Sequence, residues 1–438
     1  MKIAIIADDL TGANDTGAQF ARSGLNTSVL LESDEQSISE LDVLVIDTDS
    51  RSLSKEEASC RVTKAAQFIK SLPFELVYKK MDSTMRGNIG TEIDAIYEVF
   101  NPDFVFIAPA YPENGRQVMD GHLFLNGIPI HETVFAQDPK TPITDSYIPN
   151  LLRRGTEREI GLIKQKDIEQ GKKHIREKLL NYLNQDVSYI VFDSGVAEDL
   201  DQIVSWVKDF DFQVIWSGSA GLANHLKQYV IETQSTAIEH DIQKSIRPIL
   251  TIIGSVNRQS RAQLKQLLAE KSVKGIEMLA YTAVADKTSI KNEIQRILRE
   301  VEVAIEKNKD IVIYSSAELE EIRKANEIGA FHGLTPTMVS DKISEVLGDI
   351  ARIIVDEFQI SHLILTGGDT ARKVCIALGT KEFRILDEIE SGIPIGLLPY
   401  KRELVAITKA GGFGSADVLV HAAKFLRGEE IECVQSLD

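Results

Sequence analysis

Three cysteines in 438 residues, Cys60, Cys375 and Cys433, are too few and too scattered for a disulfide framework or a metal-binding spacing, which fits a reducing cytoplasm. No apolar run approaches the roughly 20 residues of a membrane span. The opening MKIAIIADD carries an apolar stretch too short for a signal-peptide core. Basic charge is in deficit: 49 Lys and Arg stand against 66 Asp and Glu, a net charge of −17. A sequence-independent hold on nucleic acid or an anionic membrane needs a basic surface, so neither partner is expected. Two nucleotide signatures are also missing, the GxxxxGK[ST] P-loop and the GxGxxG Rossmann fingerprint with its downstream acid. The second absence disfavours an NAD-dependent dehydrogenase.

The length suggests two or three domains at roughly 150 residues each. Short β-rich runs alternate with helical patterns, which reads as α/β with mainly parallel sheets. Strands are expected at Lys2–Ala7, Val43–Asp47, Leu76–Lys80, Phe104–Ala108, Tyr189–Asp193 and Val214–Ser217. Further strands are expected at Ile249–Ile253, Asp310–Tyr314, His362–Thr366 and Leu404–Thr408. Ser54 with Glu57 reads as a capping box, and a long helix is expected over 289–307. The polar stretch IETQSTAIEHDIQKSIRP breaks the pattern. It divides the chain into residues 1–232, a linker at 233–247 and residues 248–438. The expected architecture is two three-layer α/β domains with a ligand cleft between them. Residues 109–155 fit no βα unit, and an excursion over the sheet edge or a lid is expected there. Within them Asn126-Gly127 is a hairpin signal.

Ligands of open α/β sheets bind beyond the carboxyl ends of the strands. In the first half, IIADDLTGANDTG places Asp8 and Asp9 side by side where a strand ends, followed by an expected turn over Thr11–Asn14. Adjacent buried carboxylates repel, so something must bind them. Either can cap the following helix, the pair can hold a metal ion, and either can accept hydrogen bonds from sugar-like hydroxyls. KKMDSTMRGNIG carries Lys79, Lys80, Asp82, Ser83, Thr84 and Arg86, and DTDSR carries Arg51. Arginine binds a carboxylate bidentately. Arginines for a carboxylate and aspartates for hydroxyls describe a receptor for a small polyhydroxy acid. In the second half, GSVNRQS with Ser255, TGGDTAR with Gly367, Gly368, Asp369 and Thr370, and KAGGFGS with Gly411, Gly412 and Gly414 each follow a strand. Glycines let backbone amides approach a ligand, and helix N-termini favour anions, so these turns suit phosphates.

Taken in order, IIADDLTGANDTG, DTDSR, YKKMDSTMRGNIG, APAYPENGR, SGSAGLA, GSVNRQS, TGGDTA and AGGFG resemble the four-carbon acid sugar kinase family over nearly the whole chain. The resemblance implies an N-terminal domain for the sugar acid and a C-terminal domain for ATP. It implies phosphorylation of a tetronate at its 4-hydroxyl. By this resemblance Asp9, Arg51, Met81, Asp82, Ser83 and Thr84 contact the acid, and Ser255, Gly367–Thr370 and Gly411 contact the nucleotide. The forms YKKMDSTMRGNIG and DTDSR are most similar to the D-threonate branch, with D-erythronate and 3-oxo-tetronate as alternatives.

On this reading Arg51 or Arg86 clamps the carboxylate, and Lys80 neutralises transferring charge. Asp9 takes the hydroxyl proton, with Asp369 the alternative base. Mg²⁺ bridges phosphate oxygens with few protein ligands, and no particular metal ligand is assigned. A homodimer is compatible with it. Two other classes compete. A haloacid-dehalogenase-type phosphohydrolase needs Asp-x-Asp, which the adjacent Asp8 and Asp9 do not supply. A non-enzymatic sugar-acid sensor would use the first half alone.

Overall fold

The computed structural model describes residues 3–31, 41–137, 141–229 and 242–429. Cys433, Lys2 and most of the expected linker, residues 233–241, lie outside the described residues. The chain divides into two compact units, residues 1–238 and 239–438.

In the N-terminal unit the strands are β1 Ile3–Ala7, β2 Thr27–Leu30, β3 Val43–Asp47, β4 Leu76–Lys80, β5 Phe104–Ala108, β6 Arg116–Met119, β7 His122–Leu125, β8 Ile128–Pro129, β9 Ile160–Ile163, β10 Tyr189–Phe192 and β11 Val214–Gly218. The helices are α1 Leu10–Ala21, α2 Lys55–Lys70, α3 Ile89–Phe100, α4 Ile148–Arg153, α5 Gln165–Ile168, α6 Lys172–Asn184, α7 Ala197–Lys208 and α8 Ala220–Leu226. Eight strands form a parallel array in the order β2-β3-β1-β4-β11-β5-β10-β9. Parallel strands covered on both faces read as continuous apolar runs. Accordingly every residue of β1, β3 and β5 is buried.

Within residues 109–155, β6, β7 and β8 form a small antiparallel sheet, flanked by short 3₁₀ turns at Pro112–Asn114, Ile130–Glu132 and Val134–Gln137, and α4 follows at Ile148–Arg153. The β7–β8 hairpin turns on Asn126 and Gly127, both at positive φ (51° and 80°), as the sequence suggests. The capping box at Ser54 and Glu57 is formed. One expectation is corrected: Thr11–Asn14 are not a turn but lie within α1, which starts at Leu10 because the Asp9 side chain caps it.

In the C-terminal unit the strands are β12 Leu250–Ile253, β13 Val273–Met278, β14 Asp310–Ser315, β15 His362–Thr366, β16 Glu382–Glu390, β17 Ile393–Pro399 and β18 Glu403–Lys409. The helices are α9 Arg258–Ala269, α10 Lys287–Glu306, α11 Leu319–Phe331, α12 Pro336–Glu357, α13 Gly368–Leu378 and α14 Val418–Arg427. The order is β13-β14-β12-β15-β18-β17-β16. The first five are parallel; β17 pairs antiparallel with β18 and β16 antiparallel with β17. Ile253, Ile364, Ile395 and Ile407 share one buried core with α9 and α14.

Candidate functional site

Register decides which turns meet. In the N-terminal unit Ala7 pairs with Asp47 on one side and Lys80 on the other. Three chain exits therefore open side by side: Asp8-Asp9, Thr48–Arg51 and Met81–Arg86. Chain order reverses about β1 here, with β2 and β3 on one side and β4 on the other. A sheet's ligand crevice opens at such a switch point.

The two aspartates are bound by protein. Arg51 donates from Nε and Nη2 to Asp8 (2.7 and 3.0 Å) and from Nη1 and Nη2 to Asp9 (2.8 and 2.7 Å). Four of its five N–H groups are used; Nη1 also lies 3.9 Å from Asp82 Oδ1. Asp9 Oδ1 further accepts from the Gly12 N–H (2.9 Å), which caps α1. Burial alone would raise the Asp8 carboxyl, but Arg51, with Lys79 and Lys80, holds it below the usual range. Asp9 goes the other way: burial, with the charge of Asp8, pushes it up against the pull of Arg51. Asp8 is fully enclosed, whereas Asp9 keeps 26% of its side chain open.

Asp82 forms a second knot. Arg86 donates to it from Nε and Nη2 (2.9 and 3.0 Å), and Thr84 does so through its hydroxyl and N–H. Burial opposes the charge of Asp82, but Arg51 and Arg86 hold its carboxyl far below the usual range. Met81 is fully buried beneath this loop and Ser83 half-buried at its rim. Met85 adopts φ 64°, an uncommon conformation for a bulky residue, as the loop turns over it. Gly87, at φ 96°, lets the loop close on Arg51, since a Cβ there would sit 3.0 Å from Arg51 Cγ. Asn88 ties the same loop to the Ser50 and Leu53 carbonyls.

The lysines differ from each other. Lys79, fully buried, pairs with Glu92 at 2.7 Å, and Ser50 donates to the same carboxylate. Lys80 is also buried, yet its only hydrogen-bond acceptor among the described residues is the Met81 carbonyl (2.8 Å). Its Nζ faces Gly12, where a Cβ would come within 2.9 Å. Lys80 is thus a buried cation beside Asp9 with donors to spare.

Sequence reasoning passed over Arg116, which opens β6. Its charge environment is set by burial, Asp82, Tyr111 and Arg86, with burial pulling the guanidinium below its ordinary value. The signal was the last letter of APAYPENGR, which entered only as part of the family resemblance.

The C-terminal unit repeats the device with different materials. Ile253 pairs with Thr366, and Thr366 with Lys409, so the turns at Gly254, Gly367 and Ala410 also open side by side. Ser255 lies between two of them: a Cβ on Gly411 would be 2.5 Å from its Oγ, and one on Gly367 would be 3.5 Å from its Cβ. Gly367, at φ 101°, is the N-cap of α13, and Gly368, Asp369 and Thr370 form the first turn. Asp369 is exposed and Thr370 buried against Gly254. Gly412 approaches the amide of Asn257, the N-cap of α9. The sequence suggests that the turn after β18 opens a helix as TGGDTAR does; it does not, because α14 begins only at Val418.

That turn is held from within. Lys409, buried, donates from Nζ to the carbonyls of Ala410, Gly411 and Phe413 (2.6, 3.3 and 3.0 Å). Burial pushes its ammonium down to about 8, with Glu390 pulling the other way. Gln263 grips the Phe413, Gly414 and Ser415 carbonyls. Neither Lys409 nor Gln263 was singled out from sequence. Among the described residues no group of three or more His, Cys, Asp or Glu side chains is placed to hold a metal ion. No helix among them is long and apolar enough to cross a membrane.

A family model described as a sugar-binding N-terminal domain matches residues 3–226, and one described as a nucleotide-binding C-terminal domain matches residues 250–419. A D-threonate kinase of Salmonella typhimurium is 32% identical over 99% of this chain and 100% of its own. The chain belongs to the four-carbon acid sugar kinase family. A D-erythronate kinase of Heliobacterium modesticaldum is 28% identical, and a 3-oxo-tetronate kinase of Pseudomonas fluorescens 27%, each over 97% of both chains. Two solved structures share the fold. One is a Salmonella typhimurium protein described as a putative tRNA synthase (TM-score 0.80, 22% identity, covering 97% of this chain and 99% of that one). The other is a Haemophilus influenzae protein (TM-score 0.73, 23% identity, covering 97% and 100%).

Proposed function

We propose that the protein transfers the terminal phosphoryl group of ATP to the 4-hydroxyl of D-threonate, giving 4-phospho-D-threonate and ADP. The observation that carries this reading is that one chain holds two unlike sites at strand exits. One is a side-chain site with a buried lysine and a half-open aspartate, suited to a polyhydroxy acid. The other is a glycine-lined backbone site at two helix N-termini, suited to phosphates. The 32% identity to a D-threonate kinase favours D-threonate over D-erythronate and 3-oxo-tetronate.

Phosphoryl transfer depends on positioning and on neutralising charge. The amides around Gly367–Thr370 and Gly411–Gly412, with Ser255, hold the nucleotide; the close approach at Gly411 supports this. Mg²⁺ bound with the nucleotide would supply charge neutralisation at the phosphate end, where Asp369 is the exposed acidic side chain that would face it. Asp9 receives the proton of the 4-hydroxyl. Its raised pKa suits a base, and Arg51 fixes its orientation. The hydroxyl oxygen forms the new bond to phosphorus as the bond to ADP breaks, and Lys80 neutralises the transferring group. Met81–Thr84 and the one remaining N–H of Arg51 contact the acid.

The test is ADP release with Mg-ATP across D- and L-threonate, D- and L-erythronate, 3-oxo-tetronate and pentonates. A preference for D-threonate is expected. ATP binding without turnover of any of these acids would overturn the reading, and absence of ATP binding would favour the sensor reading instead.

A further inference from the structure

The strongest partner for a tetronate carboxylate is a cation with two parallel N–H groups to give. Lys80, which has donors to spare, stands beside Asp9, where the phosphoryl group is taken to arrive. The two arginines that the sequence nominates have largely committed their N–H groups. Arg51 spends four N–H groups on Asp8 and Asp9. Arg86 forks onto Asp82, with Nε also reaching Thr84 Oγ1 at 3.1 Å. Lys79 is paired with Glu92. Opening any of these pairs to admit a ligand would leave a buried carboxylate alone, a large penalty.

Arg116 is built differently. Its backbone pairs with Tyr111 through two hydrogen bonds (2.9 and 3.0 Å), closing the PENG turn. Tyr111 packs where Gly221 leaves room, since a Cβ there would meet Tyr111 Cα at 2.9 Å. Ser219 Oγ holds the Ala110 carbonyl at 2.9 Å, and the neighbouring Gly218 carbonyl accepts from the Met81 N–H at 2.8 Å. Arg116 is thereby anchored through the β11–α8 turn to the exit of β4, where Asp82 and Arg86 stand. Its Nη1 donates to the Asn114 carbonyl (2.6 Å), which fixes the side chain. Its Nε is buried without a hydrogen-bond partner among the described residues. An unmet buried donor is costly to keep. The Nε edge of a guanidinium, with Nη2 beside it, is a fork that fits a carboxylate.

We propose that Arg116, from the β6–β8 insertion, receives the carboxylate of the acceptor acid through Nε and Nη2; this rests on the sugar-acid reading of the site. The insertion then contributes directly to specificity, selecting acids over neutral polyols.

The experiment compares the preferred tetronate with its primary amide as acceptors, in wild type and in Arg116→Gln. For the acid, KM rises at least about thirtyfold in the variant, the scale of a lost charge-assisted hydrogen-bond pair. For the amide, KM changes by less than about twofold, and the wild-type preference for the acid collapses. Equal losses on acid and amide, or no loss on either, overturn the proposal, because a structural role has no reason to distinguish them. If Arg116→Gln does not fold, as judged by its unfolding midpoint, Arg116→Lys is scored on the same ratio and keeps only part of the preference. Wild type without turnover of any tetronate removes the kinase reading itself. An active wild type with an unaffected Arg116→Gln removes only this inference.

Discussion

The two units solve one geometric problem with opposite chemistry. In each, three neighbouring parallel strands end in register and release three turns at one place. In the N-terminal unit those turns carry Asp8, Asp9, Arg51, Asp82 and Arg86, with Lys80 at the end of β4, and the site is a web of charges that neutralise one another. In the C-terminal unit they carry Gly254, Gly367 and Gly411 around Ser255, and the one buried lysine there faces the loop's own carbonyls. The contrast matches what each would read. A small acid with stereocentres is distinguished by directional side chains, whereas phosphates are satisfied by amides that every residue possesses.

Substitutions can break this comparison on either side. The largest effect is expected from Arg51→Ala, which strands Asp8 and Asp9 together in a buried place and costs about 3–5 kcal/mol of stability by urea unfolding. Activity falls with it, while binding of an ATP analogue survives. Loss of nucleotide binding as well would show that the two chemistries are not separable.

Next is Lys409. Below pH 8 its ammonium is charged in both folded and unfolded chains. Between about 8 and the ordinary 10.5 the folded chain has released a proton that the unfolded chain still holds, so stability rises with pH across that window. Wild type should gain about 2 kcal/mol there relative to Lys409→Met in parallel unfolding series. A flat difference between the two proteins would mean that the three carbonyls offset the burial.

Gly411→Ala is expected to raise KM for ATP about tenfold by crowding Ser255, leaving KM for the acid unchanged. A change in the acid's KM instead would reverse the assignment of the two sites. The smallest effect belongs to Ser54→Ala. It removes the α2 cap at about 1 kcal/mol in thermal unfolding and leaves both KM values alone, separating scaffold from site.

The parallel strands were legible because complete burial writes itself as short, nearly continuous apolar runs, as in Ile3–Ala7 (IAIIA) and His362–Thr366 (HLILT). The β13 strand was not, since Lys274, Gly275 and Glu277 interrupt it. The β16–β17 hairpin hid for a similar reason: EFRILDEIE is half charged and can be read as a helix face. The turns that build both sites were visible, because glycine, hydroxyl and charge gather after each apolar run. Their mutual pairing was not. Arg51 and Asp8 are 43 residues apart, and only the β1–β3 register shows that each is the other's partner. Arg116 stayed hidden because it belongs to an antiparallel insertion whose position no local pattern encodes.

The close approach of Gly411 to Ser255 has a consequence for how such chains diverge. A site made of side chains can be edited by single substitutions, each removing or redirecting one contact, so acceptor preference is open to gradual drift. A site made of backbone amides has nothing to delete. Nearly every replacement at Gly411 adds atoms where Ser255 already stands. On the proposed division of the two sites, sterics constrain the nucleotide half while the acid half stays editable, so changes of acceptor in this plan are expected to enter through the first two hundred or so residues.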